Sequence, residues 1–417
     1  MVTMSTSAGN YGWSVVLSGT GINLALGVLY TWSVISKAVP AEWNWNEAQR
    51  ALPYSTACIV FALIMVVAGR MQDRIGPRKV ATMGGVLTGL GFILASTTSS
   101  LGLFVVGFGI LSGAGIGFGY ASATPPAVKW FPPERTGMIA GIVVAGFGLA
   151  SVYAAPLARF LIGSYGLQTA MRIFGVAFLI VVVVLAQLLR NPAEGFKPVI
   201  ARRRKPRRRS PSVVGHEYSW VEMMRTPQFY LLWFMFACGS GAGLMIIGKL
   251  AKIVELQSGS AAGFILVALL AIGNASGRII AGVLSDRIGR TTTMFLVFVV
   301  QAILMFTMRL QSWLGMLVVY SMLIGFNYGA CLSLFPSATK DYFGLKNFGV
   351  NYGLVFTAWG VGGLVLPLLS GRIFDATGSF GGAYVAAGFT VLVAAGLTFI
   401  TKAPREEVIA PGLKAAA

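Results

Sequence analysis

Histidine is nearly absent from this sequence of 417 residues, since the single one, His216, lies in a polar stretch between apolar runs. Its position excludes a histidine proton relay or a histidine-ligated metal within a membrane segment. Cysteine is also scarce. Cys58, Cys238 and Cys331 lie far apart within apolar runs, a spacing that fits neither a disulfide framework nor a metal site. We interpret them as small residues that pack between helices.

Acidic residues are few as well, with 13 Asp and Glu against 32 Lys and Arg. All of them fall in loops or at the ends of apolar runs, so no carboxylate is expected at mid-depth. A cation or drug exporter commonly depends on a membrane-buried carboxylate that attracts the cation and exchanges protons. The sequence offers none, and it contains no Ser, His and Asp grouping that would predict an enzyme.

Charged residues make up only 11% of the chain and hydrophobic residues 56%, a balance that predicts a membrane protein. The N-terminus lacks the basic region and cleavage site of a signal peptide, so the first apolar run is expected to be retained. Twelve runs are long enough to cross the bilayer as helices, at about 12–36, 48–69, 79–98, 101–125, 136–162, 169–190, 227–250, 260–284, 291–309, 313–336, 347–371 and 381–401.

The distribution of Lys and Arg predicts the orientation of these spans. Basic residues concentrate in the loops that follow even-numbered spans and are sparse in the loops that follow odd-numbered spans. Cytoplasmic loops carry the excess of basic residues in membrane proteins. We therefore expect a multi-pass protein of the plasma (inner) membrane with both termini in the cytoplasm.

The long gap at 191–226 contains the run ARRRKPRRRSP at 201–211. Its charge and prolines preclude a packed core, so it is interpreted as a cytoplasmic linker between a six-helix half at 1–190 and a second half at 227–417. Nucleic acid is the alternative partner for such a run. Because the net charge of +19 lies in short gaps between apolar runs, anionic lipid headgroups are the predicted partner and nucleic acid is not.

The two halves repeat each other. GRMQDRIGPRK at 69–79 and GVLSDRIGR at 282–290 are about 213 residues apart, which predicts a pseudo-two-fold axis along the membrane normal and a substrate site near the midplane. Charge pairs at these helix ends would lock one conformation of a rocking carrier; the alternative is that the arginines only set the topology. The predicted cytoplasmic latch consists of Asp73, Arg74, Arg78, Asp286, Arg287 and Arg290.

Arg278 is a cation inside an apolar span, eight residues before Asp286 and thus about 12 Å further along the helix. An unpaired arginine at the centre of a membrane helix costs about 2.5–3.5 kcal/mol. With no carboxylate expected at this depth, we predict that Arg278 receives the carboxylate of a small transported acid. Asn274, one turn away, would brace it or bind the same carboxylate. The alternative is that Arg278 pairs with a helical carboxylate or with carbonyl groups.

GRMQDRIGPRK, between the second and third spans, matches the loop signature of the major facilitator superfamily. Within that superfamily the chain resembles the monocarboxylate porters and the oxalate/formate antiporter, on Gly12 and Trp13, on Lys129–Gly148, on the residues around Arg278 and on LFPSATKDYFG at 334–344. The resemblance implies an all-α membrane protein with twelve transmembrane helices in two pseudo-symmetric six-helix halves. It also implies function as a monomer.

The chain looks like a bacterial relative of the animal lactate and pyruvate transporters, which implies secondary active transport of a small monocarboxylate with a proton as the coupling ion and no cofactor. Trp359 stands where the antiporter pattern has a second cation, which favours one carboxylate over oxalate. Asn274 stands where the animal transporters carry an aspartate, and YTWSVIS at 30–36 replaces their lysine. The usual proton carrier is therefore missing, so anion exchange and a non-transporting carboxylate sensor remain alternatives.

Further candidates are polar or aromatic residues on spans that line the cavity in this family. Tyr120 and Tyr328, with Asn327 beside the latter, would donate hydrogen bonds to the substrate, although each residue taken singly is more often explained by ordinary helix packing. Lys249, Lys252 and Glu255, near the outer end of the seventh span, would attract the anion or relay protons. An apolar enclosure that limits substrate size is predicted from Tyr30, Leu26, Phe147, Phe335, Phe356 and Trp359.

Overall fold

The structure is a computed structural model that describes residues 4–132, 135–193, 196, 217–344 and 346–404. The described residues form helices and no strands. The α-helices are α1 Met4–Leu26, α2 Trp32–Lys37, α3 Glu47–Ile75, α4 Pro77–Ser96, α5 Leu101–Phe104, α6 Gly113–Lys129, α7 Thr136–Ala186, α8 Trp220–Met224, α9 Pro227–Ser258, α10 Gly263–Ile288, α11 Arg290–Met308, α12 Leu314–Phe343, α13 Phe348–Thr377 and α14 Gly381–Leu397.

Ten helical segments in the described part of the chain are long and apolar enough to cross a membrane. In two of them short non-α turns continue the path: a 3₁₀ turn links α1 to α2, and a π-helical stretch links α5 to α6. The segment Met138–Ala186 is 49 residues long and bends back at Gly166, whose φ of +78° suits glycine. It therefore crosses twice. With the shorter apolar helix Gly381–Leu397, the predicted twelve crossings are confirmed.

The repeated motif adopts the same backbone conformation in both places. Gly76 ends α3 with φ and ψ of +87° and 156°, and Gly289 ends α10 with +96° and 156°. Both glycines let one helix stop and the next begin at once, since the following helix starts at Pro77 or at Arg290. The sequence repeat is thus a structural repeat. The linker at 197–216 lies outside the described residues, and the division into two halves stays a prediction.

The helices run between two ends of the bundle. We call one end of the bundle the Glu47 end: α3 begins there, and α9 and α13 end there. We call the opposite end the Arg290 end: α10 ends there, and α11 begins there. α3 packs against α13 and α10 packs against α7, so helices from before and after the linker are in direct contact. Arg278 lies in the interior of α10, ten residues before its last residue, Ile288. It is therefore well inside the bundle.

α10 and α12 approach each other closely along two small-residue motifs. Gly273 and Gly277 on α10 lie against the carbonyl groups of α12, and Gly325 and Gly329 on α12 lie against those of α10. A β-carbon at any of these four positions would overlap a carbonyl oxygen of the opposite helix. Glycines four residues apart allow membrane helices this proximity. The contact fixes the face of α10 that carries Arg278.

Candidate functional site

Arg278 links α10 to α7 in the interior of the bundle. Its Nε donates to Asn274 Oδ1 at 3.0 Å, and its Nη1 donates to the carbonyl oxygen of Val144 on α7 at 3.0 Å. No carboxylate among the described residues forms an ion pair with it. A carbonyl and an amide hold the guanidinium in place, but neither neutralises its charge.

The Asn274 amide is oriented by this contact. Because Oδ1 accepts from Arg278, the Nδ2 donor faces away, and it has no hydrogen-bond partner although the residue is fully buried. A buried donor without a partner costs about 1–3 kcal/mol. Asn274 Nδ2 and the remaining N–H groups of Arg278 are therefore donors on residues one helical turn apart, and a carboxylate accepts from groups of this kind.

Tyr120 on α6 stands next to the cation. It lies within electrostatic range of the Arg278 guanidinium, and its ring meets Phe147 edge-on with centroids 5.2 Å apart. Tyr352 on α13 lies within electrostatic range of the same charge. The structure thus brings the predicted hydroxyl donor Tyr120 to Arg278 and adds Tyr352, which the sequence did not single out.

Tyr30, Tyr328 and Trp359 form a hydrogen-bonded chain across the bundle. Trp359 Nε1 donates to the Tyr328 hydroxyl at 2.7 Å, and the hydroxyls of Tyr328 and Tyr30 are 2.6 Å apart. All three side chains are buried. Their hydroxyl and indole groups would be costly to bury alone, and the chain satisfies them by joining α12 and α13 to the turn between α1 and α2.

Phe61 on α3 belongs to the same aromatic cluster, and the sequence did not single it out. Its ring centroid is 5.1 Å from Trp359, 5.4 Å from Tyr120, 5.7 Å from Phe356 and 5.8 Å from Phe147. It therefore connects the aromatic residues on both sides of the bundle. A weak signal exists in the sequence, because Phe61 falls in the middle of the second apolar run.

Three predicted site residues make their described contacts with residues other than Arg278. Asn327 donates from Nδ2 to Gln301 Oε1 on α11 at 3.1 Å, so its amide is engaged with that helix. Leu26 is buried against Gly119 of α6. Phe335 stacks on Phe236 at 4.4 Å, which places it one ring behind Phe356. These residues support the enclosure rather than bordering Arg278.

The predicted cytoplasmic latch is described in part. Arg290 binds Asp286 at 2.7 Å and also Asp341 on α12 at 2.8 Å. The contacts described for Arg290 stay among helices that follow the linker. Arg74 and Arg287 are exposed and Arg78 is half-buried; the side chain of Asp73 lies outside the described part. A latch between the two halves stays a prediction.

The Glu47 end carries a denser set of charge contacts, and these cross the bundle. Glu47 on α3 binds Lys249 at 2.8 Å and Lys252 at 2.6 Å, both on α9. The carboxylate of Asp375 on α13 accepts from the backbone N–H groups of Glu47 and Ala48 at 2.7 and 2.9 Å. The sequence had singled out the two lysines but not their partner.

Comparison with known proteins identifies the family. The sequence profile of the Major Facilitator Superfamily matches residues 12–251 and 250–416, which together span nearly the whole chain. The chain belongs to this superfamily. It is a multi-pass membrane protein with the fold and the relatives of a transporter, and the likeness to monocarboxylate transporters inferred from its motifs is confirmed.

Several relatives cover most of the chain. An Escherichia coli protein named as the uncharacterised MFS-type transporter YhjX is 30% identical over 359 residues, covering 84% of this chain and 86% of its own length. The oxalate:formate antiporter of Oxalobacter formigenes is 28% identical, with 84% and 82% covered. Monocarboxylate transporter 13 of Bos taurus is 26% identical, with 93% and 89% covered.

Among solved structures, the chain is similar to a bacterial homologue of the human lysosomal transporter Spinster, in an inward-facing and unoccupied conformation. The TM-score is 0.67 at 16% identity, and the match covers 94% of this chain and 97% of that one. At this level of identity the likeness establishes the fold of a major facilitator protein alone.

Proposed function

We propose that this protein is a secondary active transporter that moves a small monocarboxylate of the lactate or pyruvate type across the plasma membrane by alternating access, together with a proton. The observation that carries the proposal is the pair of polar residues Arg278 and Asn274, one turn apart inside α10. Arg278 has no described carboxylate partner, and the buried Asn274 Nδ2 has no hydrogen-bond partner. A carboxylate bound there would neutralise the charge of Arg278 and accept a hydrogen bond from Asn274 Nδ2.

One negative charge matches this site better than two. The position at which a second cation would be expected for a dicarboxylate holds Trp359, whose indole donates to Tyr328 rather than to a ligand. Phe61, Phe147 and Phe356 form an aromatic cluster, and Phe147 also meets Tyr120; such apolar surroundings suit a short apolar tail. The names of two relatives, the oxalate:formate antiporter and monocarboxylate transporter 13, support carboxylates as the substrate class.

Substrate accumulation tests this proposal directly. Purified protein in proteoliposomes is expected to accumulate labelled lactate, and competition by a panel of small acids should rank pyruvate and lactate above oxalate. Binding of these acids without any flux would instead favour a carboxylate sensor. Stronger competition by oxalate than by any monocarboxylate would contradict the assignment of a single-charge site.

The proton is proposed to travel with the substrate carboxylate, because no described Asp, Glu or His lies beside Arg278. Anion exchange is the second candidate, and the similarity to an antiporter favours it. An inward pH gradient should drive lactate uptake into vesicles that contain no internal anion. Uptake that ignores the gradient but requires internal carboxylate would replace symport by exchange.

The setting of the transporter is proposed from the charge distribution. We infer an inner-membrane protein with both termini in the cytoplasm, because basic residues concentrate at the Arg290 end. That it functions as a monomer is proposed from the family resemblance alone. The linker at 191–226 would then lie along anionic headgroups. By the same rule the Glu47 end faces outward.

A further inference from the structure

Two lysines at the Glu47 end converge on a single carboxylate. Lys249 and Lys252 are three residues apart on α9, so they share a face of that helix. Lys249 Nζ lies 2.8 Å from Glu47 Oε2, and Lys252 Nζ lies 2.6 Å from Glu47 Oε1. Each carboxylate oxygen thus has its own ammonium group, and the lysines form a site shaped for one carboxylate.

The carboxylate and the lysines belong to different sides of the bundle. Glu47 opens α3, before the linker, whereas α9 follows it. Alternating access must separate these helices at the Glu47 end, and the separation withdraws Glu47 from the lysines. Lys249 is only 2% exposed in this closed arrangement, and a buried charge that loses its partner is strongly destabilised. The open state therefore requires another anion or water at this position.

In the closed state the neighbouring carboxylates have other partners, on α2 and α3. Both oxygens of Asp375 accept from the first backbone N–H groups of α3, and Glu255 is paired with Lys37 at 3.0 Å. Arg50, 3.7 Å from Glu47 Oε1, adds another positive charge on α3 itself. Lys252 also lies over the ring of Phe374 at 4.4 Å, which holds its ammonium in place without neutralising it.

We propose that Lys249 and Lys252 form an outer binding site for the carboxylate of the transported acid. The Glu47 carboxylate occupies this site when the Glu47 end is closed, and the carboxylate of the substrate replaces it when that end is open. This inference rests on the proposed function for the substrate class and the sidedness. Glu47 and the substrate present the same chemical group to the same two ammonium groups, so one displaces the other.

A line of buried hydroxyls leads from this outer site towards Arg278. The ring of Tyr54 on α3 packs against Gly248, the residue next to Lys249. Tyr54 is fully buried and lies within electrostatic range of Tyr30 and Tyr328. Tyr30 in turn lies within electrostatic range of Arg278. Tyrosine side chains that can donate hydrogen bonds therefore lie between the two proposed carboxylate sites.

Opposite effects of two substitutions distinguish a binding site from a simple closing contact. Lys249→Gln removes one ammonium group, so the KM for external lactate in right-side-out proteoliposomes should rise about tenfold, the equivalent of one charge-assisted hydrogen bond. Glu47→Gln removes the competing carboxylate and should lower that KM. If the contact served only to close the outer end, either substitution would break it. Both substitutions would then lower the external KM.

Two further variants and an efflux measurement serve as controls for this test. Lys252→Gln, at a less buried lysine, should raise the external KM as well and replaces Lys249→Gln if the latter does not fold. Lys37→Gln breaks an ion pair between α2 and α9 that touches neither lysine; it should weaken closure alone and lower the external KM, opposite to the lysine variants at the site. The KM for efflux from the Arg290 side should change less than the external KM in each lysine variant.

A shift of the external KM in the same direction in Lys249→Gln and Glu47→Gln, or in neither, would overturn this proposal while leaving the proposed function intact. The proposed function fails separately if the wild-type protein accumulates no monocarboxylate at all.

Discussion

At the scale of single residues, the question is what compensates the charge of Arg278. Burial of an arginine in a membrane helix costs about 2.5–3.5 kcal/mol, whereas a hydrogen bond that involves a charged group recovers about 1.5–3 kcal/mol. The two bonds to Asn274 and Val144 therefore offset much of the cost and fix the orientation of the guanidinium. They leave its positive charge without a counter-ion among the described residues, and this is the reason for proposing an anionic substrate here.

Arg278→Lys keeps the positive charge but removes the planar fork and both orienting bonds. We expect lactate affinity to fall by about 10- to 100-fold, since a bidentate charged contact contributes roughly 1.5–3 kcal/mol, and we expect Arg278→Ala to abolish binding. The measurement is the lactate-induced rise in the thermal unfolding midpoint of the purified protein. Arg309→Ala, at an exposed arginine that ends α11, is the control. Near-normal stabilisation by lactate in Arg278→Ala would refute the central assignment.

Asn274→Asp places a carboxylate at the atom that now accepts from Arg278 Nε. This internal anion competes with the substrate, and neighbouring Arg278 keeps it ionised at neutral pH. We expect lactate uptake to fall at neutral pH and to recover at acidic external pH, which makes the pH profile of uptake steeper. Asn274→Ala separates loss of the amide from gain of the charge. A pH profile identical to that of the wild type would place position 274 outside the proton path.

At the scale of helices, the α10–α12 contact positions the site. Each of the four glycines in this contact lies against a backbone carbonyl of the opposite helix, and backbone cannot move aside as a flexible side chain does. The helices must separate to admit even a methyl group. The face of α10 that carries Asn274 and Arg278 would rotate or shift with them.

Gly277→Ala should therefore reduce both stability and transport. Overpacking of a close contact costs about 1–3 kcal/mol, and the displaced Arg278 should lose contact with Val144. Gly141→Ala on α7 is a matched control, because nothing lies within 4 Å of a β-carbon built there. Thermal unfolding midpoints and initial rates of lactate uptake check this expectation. A Gly277→Ala protein as stable as Gly141→Ala would show that the helices can separate without cost.

At the scale of the whole molecule, the two ends of the bundle differ in what their charges join. At the Glu47 end, ion pairs and charge-capped backbone groups connect α3 to α9 and α13. At the Arg290 end, the contacts described for Arg290 join α10, α11 and α12 to one another. At the Glu47 end, the described charge contacts therefore join α3, before the linker, to α9 and α13, after the linker.

Asp375→Asn should weaken that closure. The carboxylate accepts two backbone N–H bonds at the positive N-terminus of α3, and such contacts contribute about 1–2 kcal/mol. Roughly a tenfold larger open population is expected. This open population can be measured in a Cys238→Ser, Cys331→Ser background. The measured quantity is the rate at which a membrane-impermeant thiol reagent labels Cys58, which is buried on α3.

The control for this prediction is Asp341→Asn, which breaks an ion pair of similar length between α11 and α12. It should leave Cys58 labelling unchanged, because the broken pair does not cross the bundle. Faster labelling in Asp341→Asn than in Asp375→Asn would mean that the Arg290 cluster, rather than the Glu47 end, sets the conformational equilibrium.

The sequence by itself determined the features that depend on neighbours along the chain. Apolar runs of sufficient length predicted the twelve crossings, because a helix is the cheapest way to satisfy backbone groups in lipid. The repeated DRIG motif predicted equivalent helix ends, and Gly76 and Gly289 adopt the same conformation. The contact between Asn274 and Arg278 followed from their spacing of four residues on one helix.

Only the tertiary structure decided how each helix is rotated about its axis. In a membrane protein both the lipid-facing and the buried faces are apolar, so the pattern of hydrophobic residues does not reveal which face is buried. The sequence therefore missed Phe61, which joins the aromatic wall, and could not show that Asn327 faces Gln301. The contact between Glu47 and Lys249 spans 202 residues, and only the packing of both α3 and α9 against α13 brings such distant charges together.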